Sequence, residues 1–283
     1  MLQHVSGINK LCLFISTFIN NNNKNLEKMD LSRNKLMGGS DIEKESLIRL
    51  EENRLEYIKN CKYLNEKNWV SSVACMNRIS LSKILFYNQI INLISDIPGC
   101  IFELGVQWGA LSSLLYNLTS INEPFNFRRK ILGFDTFEGF PSSSISEKEH
   151  DLGWETNSLS TYENAQSLAE ETLNLHQSFT ALSHMRRHDF IKGDVIKTLP
   201  NWFIQNPHET VALCIFDMDL GIPTKKSLIE ILKHSQKGTV LVFDEYSHPL
   251  FPEEGIAARE VLDSMNIKFQ KSIYTPYTSY VVI

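Results

Sequence analysis

Cys100-Ile101-Phe102-Glu103-Leu104-Gly105-Val106-Gln107-Trp108-Gly109 is the stretch on which the fold turns. Its apolar start is too short for a helix. It is bounded by Pro98-Gly99 before and by two glycines after, and a helical pattern, Ala110–Thr119, follows at once. That is a buried strand, a tight turn and a helix. Gly105 and Gly109 remove side chains where such a turn lets a ligand approach the backbone. The same rhythm recurs in short apolar runs at Lys130–Asp135, Phe190–Val195, Val211–Asp217, Thr239–Phe243, Ile267–Tyr274 and Thr278–Ile283. Helical patterns separate most of them, at Tyr162–Leu175, Thr224–His234 and Gly255–Met265. Strands alternating with helices predict an α/β chain with a mostly parallel, Rossmann-like sheet of seven strands. Only Thr275-Pro276-Tyr277 separates the last two runs, which therefore form an antiparallel hairpin.

The chain has 283 residues, 42% hydrophobic and 22% charged, with a net charge of -5. That composition excludes wholesale disorder and coiled coil. The negative sign gives no general attraction to nucleic acid or anionic lipid, so neither is expected as a main partner. Five cysteines at irregular spacing, with no CxxC, read as reduced thiols of a cytoplasmic protein. The apolar run Leu11–Ile19 is too short to span a membrane.

Three regions follow from the pattern. Residues 1–40 are rich in Asn and read as a poorly ordered tail. Residues 41–97 read as a helical arm, with one helix over Asp41–Lys67 and another over Leu81–Ser95 that turns Ile84, Leu85, Ile91 and Ile94 to one side. Such an arm is a candidate surface for a homo-oligomer. Residues 98–283 carry the α/β domain, including a Ser-rich stretch, Pro141–Ser160, whose length marks a lid or a disordered loop.

In open parallel sheets ligands bind beyond the carboxyl ends of the strands. Glu103, ahead of Gly105 and Gly109, disfavours a dinucleotide pyrophosphate and suits a cationic ligand. Asp135 ends the second strand, where a carboxylate can accept two ribose hydroxyls. Asp194 follows the third strand, near where an adenine amino group would lie. The fourth and fifth strands end in Asp217-Met218-Asp219 and Asp244-Glu245-Tyr246. Four carboxylates at adjacent tips cannot all stay ionised without a cation, and otherwise their pKa values rise and some hold protons; the first outcome points to Mg²⁺. The alternative is that Asp219 and Glu245 face solvent and cap helices. His248 is a rival base or a plain loop histidine. Trp108 and Tyr246 are candidates to cover cofactor or substrate, or simply core.

Glu-Leu-Gly-Val-x-x-Gly, Asp-x-Phe-Glu-Gly-Phe-Pro, Asp-x-Asp-Leu with Pro-Thr following, and Asp-Glu-Tyr, in that order, resemble the macrocin O-methyltransferase family. The resemblance runs from about residue 78 to the C-terminus. It implies a class I, S-adenosylmethionine-dependent and Mg²⁺-dependent enzyme that methylates a hydroxyl of a sugar or glycosylated natural product. It further implies that Glu103, Gly105 and Gly109 line the methionine end of the cofactor, that Asp135 holds the ribose and that Asp194 lies near the adenine. Asp217 would border the cofactor and, with Asp244 and Glu245, bind the metal. Asp219 would be the general base. Glu245 stands where the family usually has Asp, and Trp108-Gly109-Ala110 where it usually has Arg-Gly-Gly. Two other readings of the residues remain: an NAD(P)-dependent oxidoreductase, disfavoured by the missing GxGxxG, and a non-catalytic binding protein on the same fold.

Overall fold

A computed structural model describes residues 41–283, so the Asn-rich tail lies outside the described residues. Two compact units meet at Asn77/Arg78. In the first, the single helix expected over 41–67 is two: α1 (Asp41–Asn60) and α2 (Leu64–Ala74). The break falls at Cys61–Tyr63, where Tyr63 is extended (φ -100°, ψ 142°). Along α1, Arg54 donates to both carboxylate oxygens of Glu51 one turn away, the kind of pair that supports an exposed helix.

The second unit opens with α3 (Arg78–Leu93). This helix falls within the second unit. Its buried stripe is Phe86, Tyr87, Ile90 and Ile91, continued by Ile94, while Leu85 is exposed. Arg129, itself buried, donates to the carbonyls of Ile94 (2.8 Å), Ile97 (2.9 Å) and Gly99 (2.7 Å). Ile94 O also accepts from Ile97 N (3.0 Å), and the guanidinium gathers the carbonyls at and just beyond the helix end, so α3 is fixed at its C-terminal end.

The remaining elements are β1 (Cys100–Leu104), α4 (Ala110–Asn122), β2 (Ile131–Asp135), α5 (Glu147–Asp151), α6 (Ala165–Ser178), β3 (His188–Lys192), α7 (Val195–Gln205), β4 (Val211–Phe216), α8 (Gly221–Lys233), β5 (Ser235–Phe243), α9 (Pro252–Leu262), β6 (Gln270–Lys271) and β7 (Ser279–Val282). The sheet order is β3-β2-β1-β4-β5-β7-β6. β1 to β5 pair in parallel, and β7 runs antiparallel to both neighbours. Strand order reverses between β1 and β4, the place where such sheets bind ligands.

Period-two alternation assigns the two faces. Ile101, Leu213, Ile215, Val240 and Val242 bury with α3, α4 and α6. Phe102, Leu104, Cys214, Phe216, Leu241 and Phe243 bury with α7, α8 and α9. Each such side chain contributes about 1.5–3 kcal/mol, which fixes strand register and hence the height at which each strand ends. α7 was not expected: Pro200 sits inside it and reads as a breaker. Burial of Val195, Leu199 and Phe203 outweighs the lost hydrogen bond. The Ser-rich stretch after β2 is folded rather than open. Ser146 and Glu149 form a capping box at the start of α5, a local signal that Ser-x-x-Glu carries in sequence.

Candidate active site

The tips of β1, β2, β4 and β5 meet at one edge. Gly105 takes φ 96°, donates to Phe134 O (2.9 Å) and lies against the end of β4, where Asp217 N donates to Leu104 O (2.8 Å). A Cβ on Gly105 would overlap the Asp217 carbonyl oxygen and come within 2.6 Å of its carbonyl carbon. Gly109 starts α4 at φ 73°, and a Cβ there would come within 2.6 Å of Ala169 on α6. Both glycines are therefore required by close approach.

Asp135 clamps this turn. Its Oδ2 accepts from Val106 N (2.7 Å) and Gln107 N (2.8 Å), and its Oδ1 from Phe137 N (2.6 Å). Gln107 and Phe137, both at positive φ, owe their strained backbones to these bonds. Beneath the turn, Glu103 is buried and accepts from the Ser112 hydroxyl of α4. Burial pushes its carboxyl well above the usual range despite that donor. Asp194 caps α7, its Oδ1 accepting from Ile196 N (3.0 Å).

Phe216 pairs with Phe243 in register and stacks on it at 4.9 Å, so the next residues, Asp217 and Asp244, stand side by side. Asp244 N donates to Phe216 O at 3.1 Å. The side chain of Asp244 accepts from Thr278 Oγ1 (3.1 Å) and pairs with Lys83 Nζ (3.2 Å). Asp219 sits in the left-handed region (φ 65°), a conformation Asp tolerates. Burial, together with Asp217, Glu245 and Asp244, holds its carboxyl well above normal. Burial and Asp244 raise Asp217 to about 7 against the opposing pull of Lys83. Burial and the same neighbours raise Glu245 to about 8.

Two members of this cluster carry no local sequence signal. Glu254, on α9, is fully buried; its Oε1 accepts from Glu245 N (2.9 Å) while its Oε2 has no partner. Burial, then Asp219, raises it well above normal. Lys83 reaches the cluster from α3 and is half exposed. Burial lowers its ammonium, but Asp244, Asp217 and Glu245 outweigh burial and hold it above its usual value.

His248 lies 3.9 Å from Glu245 through Nδ1, an atom that accepts from Leu250 N (3.2 Å). That bond leaves the ring proton on Nε2, and burial lowers the pKa of the imidazole. Among the described residues no three His, Cys, Asp or Glu side chains are grouped so as to hold a metal ion. Lys83 brings positive charge to the cluster.

The Ser-rich stretch roofs this edge. Glu149 Oε1 accepts from Gly221 N (2.8 Å) at the start of α8. Trp154 donates to Leu250 O (2.9 Å) and stacks on Phe251 at 4.7 Å. Phe140, Ile145 and Leu220 form a small core between.

The acids set a pH response. In the unfolded chain they ionise near pH 4, whereas Asp217 and Glu245 hold protons to about 7 and 8 in the fold. Between those limits the folded state binds more protons, so stability falls as pH rises. Melting temperature measured in EDTA is expected to drop from pH 5 to pH 8.5. A flat or rising curve would contradict the raised values.

The profile of the macrocin-O-methyltransferase (TylF) family matches residues 80–259, most of the α/β unit just described. The chain belongs to the macrocin-O-methyltransferase family. The turn, the Asp135 clamp and the acids of β4 and β5 all fall within that match. Solved structures agree with this. CalS11, calicheamicin methyltransferase, is similar at 27% identity and TM-score 0.79, covering 88% of this chain and 95% of that one. Apo CalS11, described as a TDP-rhamnose 3'-O-methyltransferase of calicheamicin biosynthesis, gives 27% and 0.72 over 86% and 95%. The O-methyltransferase NovP shares the fold at 17% identity and TM-score 0.56, over 71% and 79%. No curated protein matches the chain. As a member of this family the protein is an O-methyltransferase. No helix among the described residues is long and apolar enough to cross a membrane.

Proposed function

We propose that the protein transfers the methyl group of S-adenosylmethionine to a sugar hydroxyl, with Asp219 as general base. The observation that carries this reading is the seam between Gly105 and Asp217, which sets a tight glycine turn beside partly buried acids with raised pKa values. The sugar acceptor is favoured by the likeness to CalS11, whose described substrate is TDP-rhamnose.

When bound, S-adenosylmethionine supplies a methyl already activated on sulfur. The residues of the chain hold and orient it. α4 begins at Gly109 without a side-chain cap, so its first amides suit the carboxylate of the methionine end. Glu103 lies beneath the same turn. Asp135 spends three of its roughly four acceptor positions on backbone amides, leaving one for a ribose hydroxyl. Asp194 keeps one oxygen clear of its own helix for the adenine amino group.

A sugar hydroxyl is a weak nucleophile, and a base near it must bind a proton readily at neutral pH. Asp219, its carboxyl raised by burial and three neighbouring acids, meets that need. His248 does not, because its Nδ1 lone pair already accepts the Leu250 amide.

The donor chemistry of Asp217, Asp244 and Glu245 suits Mg²⁺, but the acids as arranged do not form an ion site, since Asp244 is engaged by Lys83 and Thr278. No step is routed through an ion. Mg²⁺ dependence requires that EDTA abolish turnover and that added Mg²⁺ restore it.

Incubation with S-adenosylmethionine and TDP-rhamnose, read by mass spectrometry, is expected to yield the singly methylated sugar nucleotide. Calorimetry with S-adenosylhomocysteine is expected to show saturable binding. Binding without any methylation would reject the acceptor and keep the cofactor.

A further inference from the structure

Trp108 and Tyr162 form a half-exposed aromatic pair at the same edge, with ring centroids 5.3 Å apart and planes inclined by 32°. They are 52% and 45% exposed. Neighbouring aromatics are used otherwise: Phe137 and Phe140 are buried, and Trp154 is stacked and hydrogen-bonded. Large apolar faces left in water at a ligand-binding edge point to an occupant.

The pair is also held rigidly. Trp108 stands between Gln107, whose amide Asp135 binds, and Gly109, which is pressed against Ala169. Tyr162 is set by its neighbour Thr161, whose hydroxyl donates to Phe137 O (3.1 Å), and its own carbonyl accepts from Ala165 N (3.0 Å). One ring thus comes from the β1–α4 turn and the other from just beyond the roofing stretch. Trp108 lies three residues from Gly105, which touches Asp217, so the pair and the acids share one end of the sheet.

We infer that Trp108 and Tyr162 are the platform on which a sugar ring of the acceptor stacks. This rests on the sugar O-methyltransferase reading above. A pyranose presents a face of C–H groups that is apolar and slightly positive, and it meets the negative face of an indole or phenol. The ring edge leaves the sugar hydroxyls free to turn toward the acids. A rigid platform adds little ordering cost on binding.

The test is steady-state kinetics with TDP-rhamnose, alongside calorimetry with S-adenosylhomocysteine. Trp108→Ala is expected to raise the KM for TDP-rhamnose by about 10-fold, in line with the loss of one stacking contact. kcat and the S-adenosylhomocysteine affinity are expected to stay near wild type, and Trp108→Phe to recover most of the loss. A weakened S-adenosylhomocysteine affinity with unchanged acceptor KM would overturn the inference and assign the pair to the cofactor. No change in either would also overturn it, as plain surface packing. If the wild-type protein binds S-adenosylhomocysteine but methylates no TDP-rhamnose, the acceptor reading itself fails and the platform falls with it.

Discussion

Gly105→Ala should lower the melting temperature by about 8–16 °C and abolish stabilisation by S-adenosylhomocysteine. The added Cβ meets backbone rather than a flexible side chain: the carbonyl of Asp217 at the end of β4. Neither partner can yield cheaply. Gly105 N is tied to Phe134 O of β2 and Asp217 N to Leu104 O of β1, so moving Gly105 breaks a β1–β2 bond and moving Asp217 breaks a β1–β4 bond. A non-glycine residue at φ 96° adds strain of ~1–3 kcal/mol. Together with overpacking, the cost reaches about 4 kcal/mol, the extreme of single substitutions. In a unit of this size each kcal/mol lowers melting by about 2–4 °C. Gly153→Ala is the control, since it has a similar φ of 91° and nothing within 4 Å of its Cβ. The difference between the two variants isolates the close approach. Similar losses from both would mean that the seam at Gly105 is looser than described.

The legible parts of this chain are those written locally. β1, β4 and β5 are buried on both faces and therefore read as continuous apolar runs, and the acids that end them stand out by contrast. The C-terminal hairpin was legible because only a Pro-containing turn separates its strands. What sequence missed was decided by distant partners. Pro200 hid α7, because its tolerance depends on what Leu199 and Phe203 bury against. Leu85 seemed a core residue by spacing, yet the sheet selects the stripe through Phe86 and Ile90. Lys83 lies 161 residues before Asp244, and nothing in its own helix marks it as part of the acid cluster. Glu254 follows Glu253 on an ordinary amphipathic helix, and only the fold tells the fully buried one from its partly buried neighbour. β3 begins earlier than expected, because His188 and Asp189 look like loop and Gly193-Asp194 looks like strand end. The folded roof carries a local signal of its own, the Ser146–Glu149 capping box, which the Ser-rich composition around it masks.

Asp219→Asn should separate chemistry from stability at one position. Asn tolerates the left-handed backbone as well as Asp does, so φ 65° is kept and no cavity opens. The substitution removes the proton acceptor and nothing else, and kcat is expected to fall by ~10²–10⁴-fold. S-adenosylhomocysteine affinity should be unchanged, because none of the proposed cofactor contacts involves this side chain. Stability should move the other way. Ionising Asp219 costs the fold, since burial together with Asp217, Glu245 and Asp244 disfavours its charge. A neutral amide does not titrate, so the variant should gain on wild type in melting temperature as pH rises. Wild-type turnover should rise with pH as the base loses its proton, and the residual rate of the variant should lack that limb. Near-normal turnover in the variant would remove Asp219 from the mechanism. Low turnover with reduced stability at pH 8 would instead mean that the carboxylate is holding structure, and that the raised pKa assigned to it is wrong. A fall in rate joined to a gain in stability is the pattern expected where a fold carries like charges close together because the reaction needs one of them as a base.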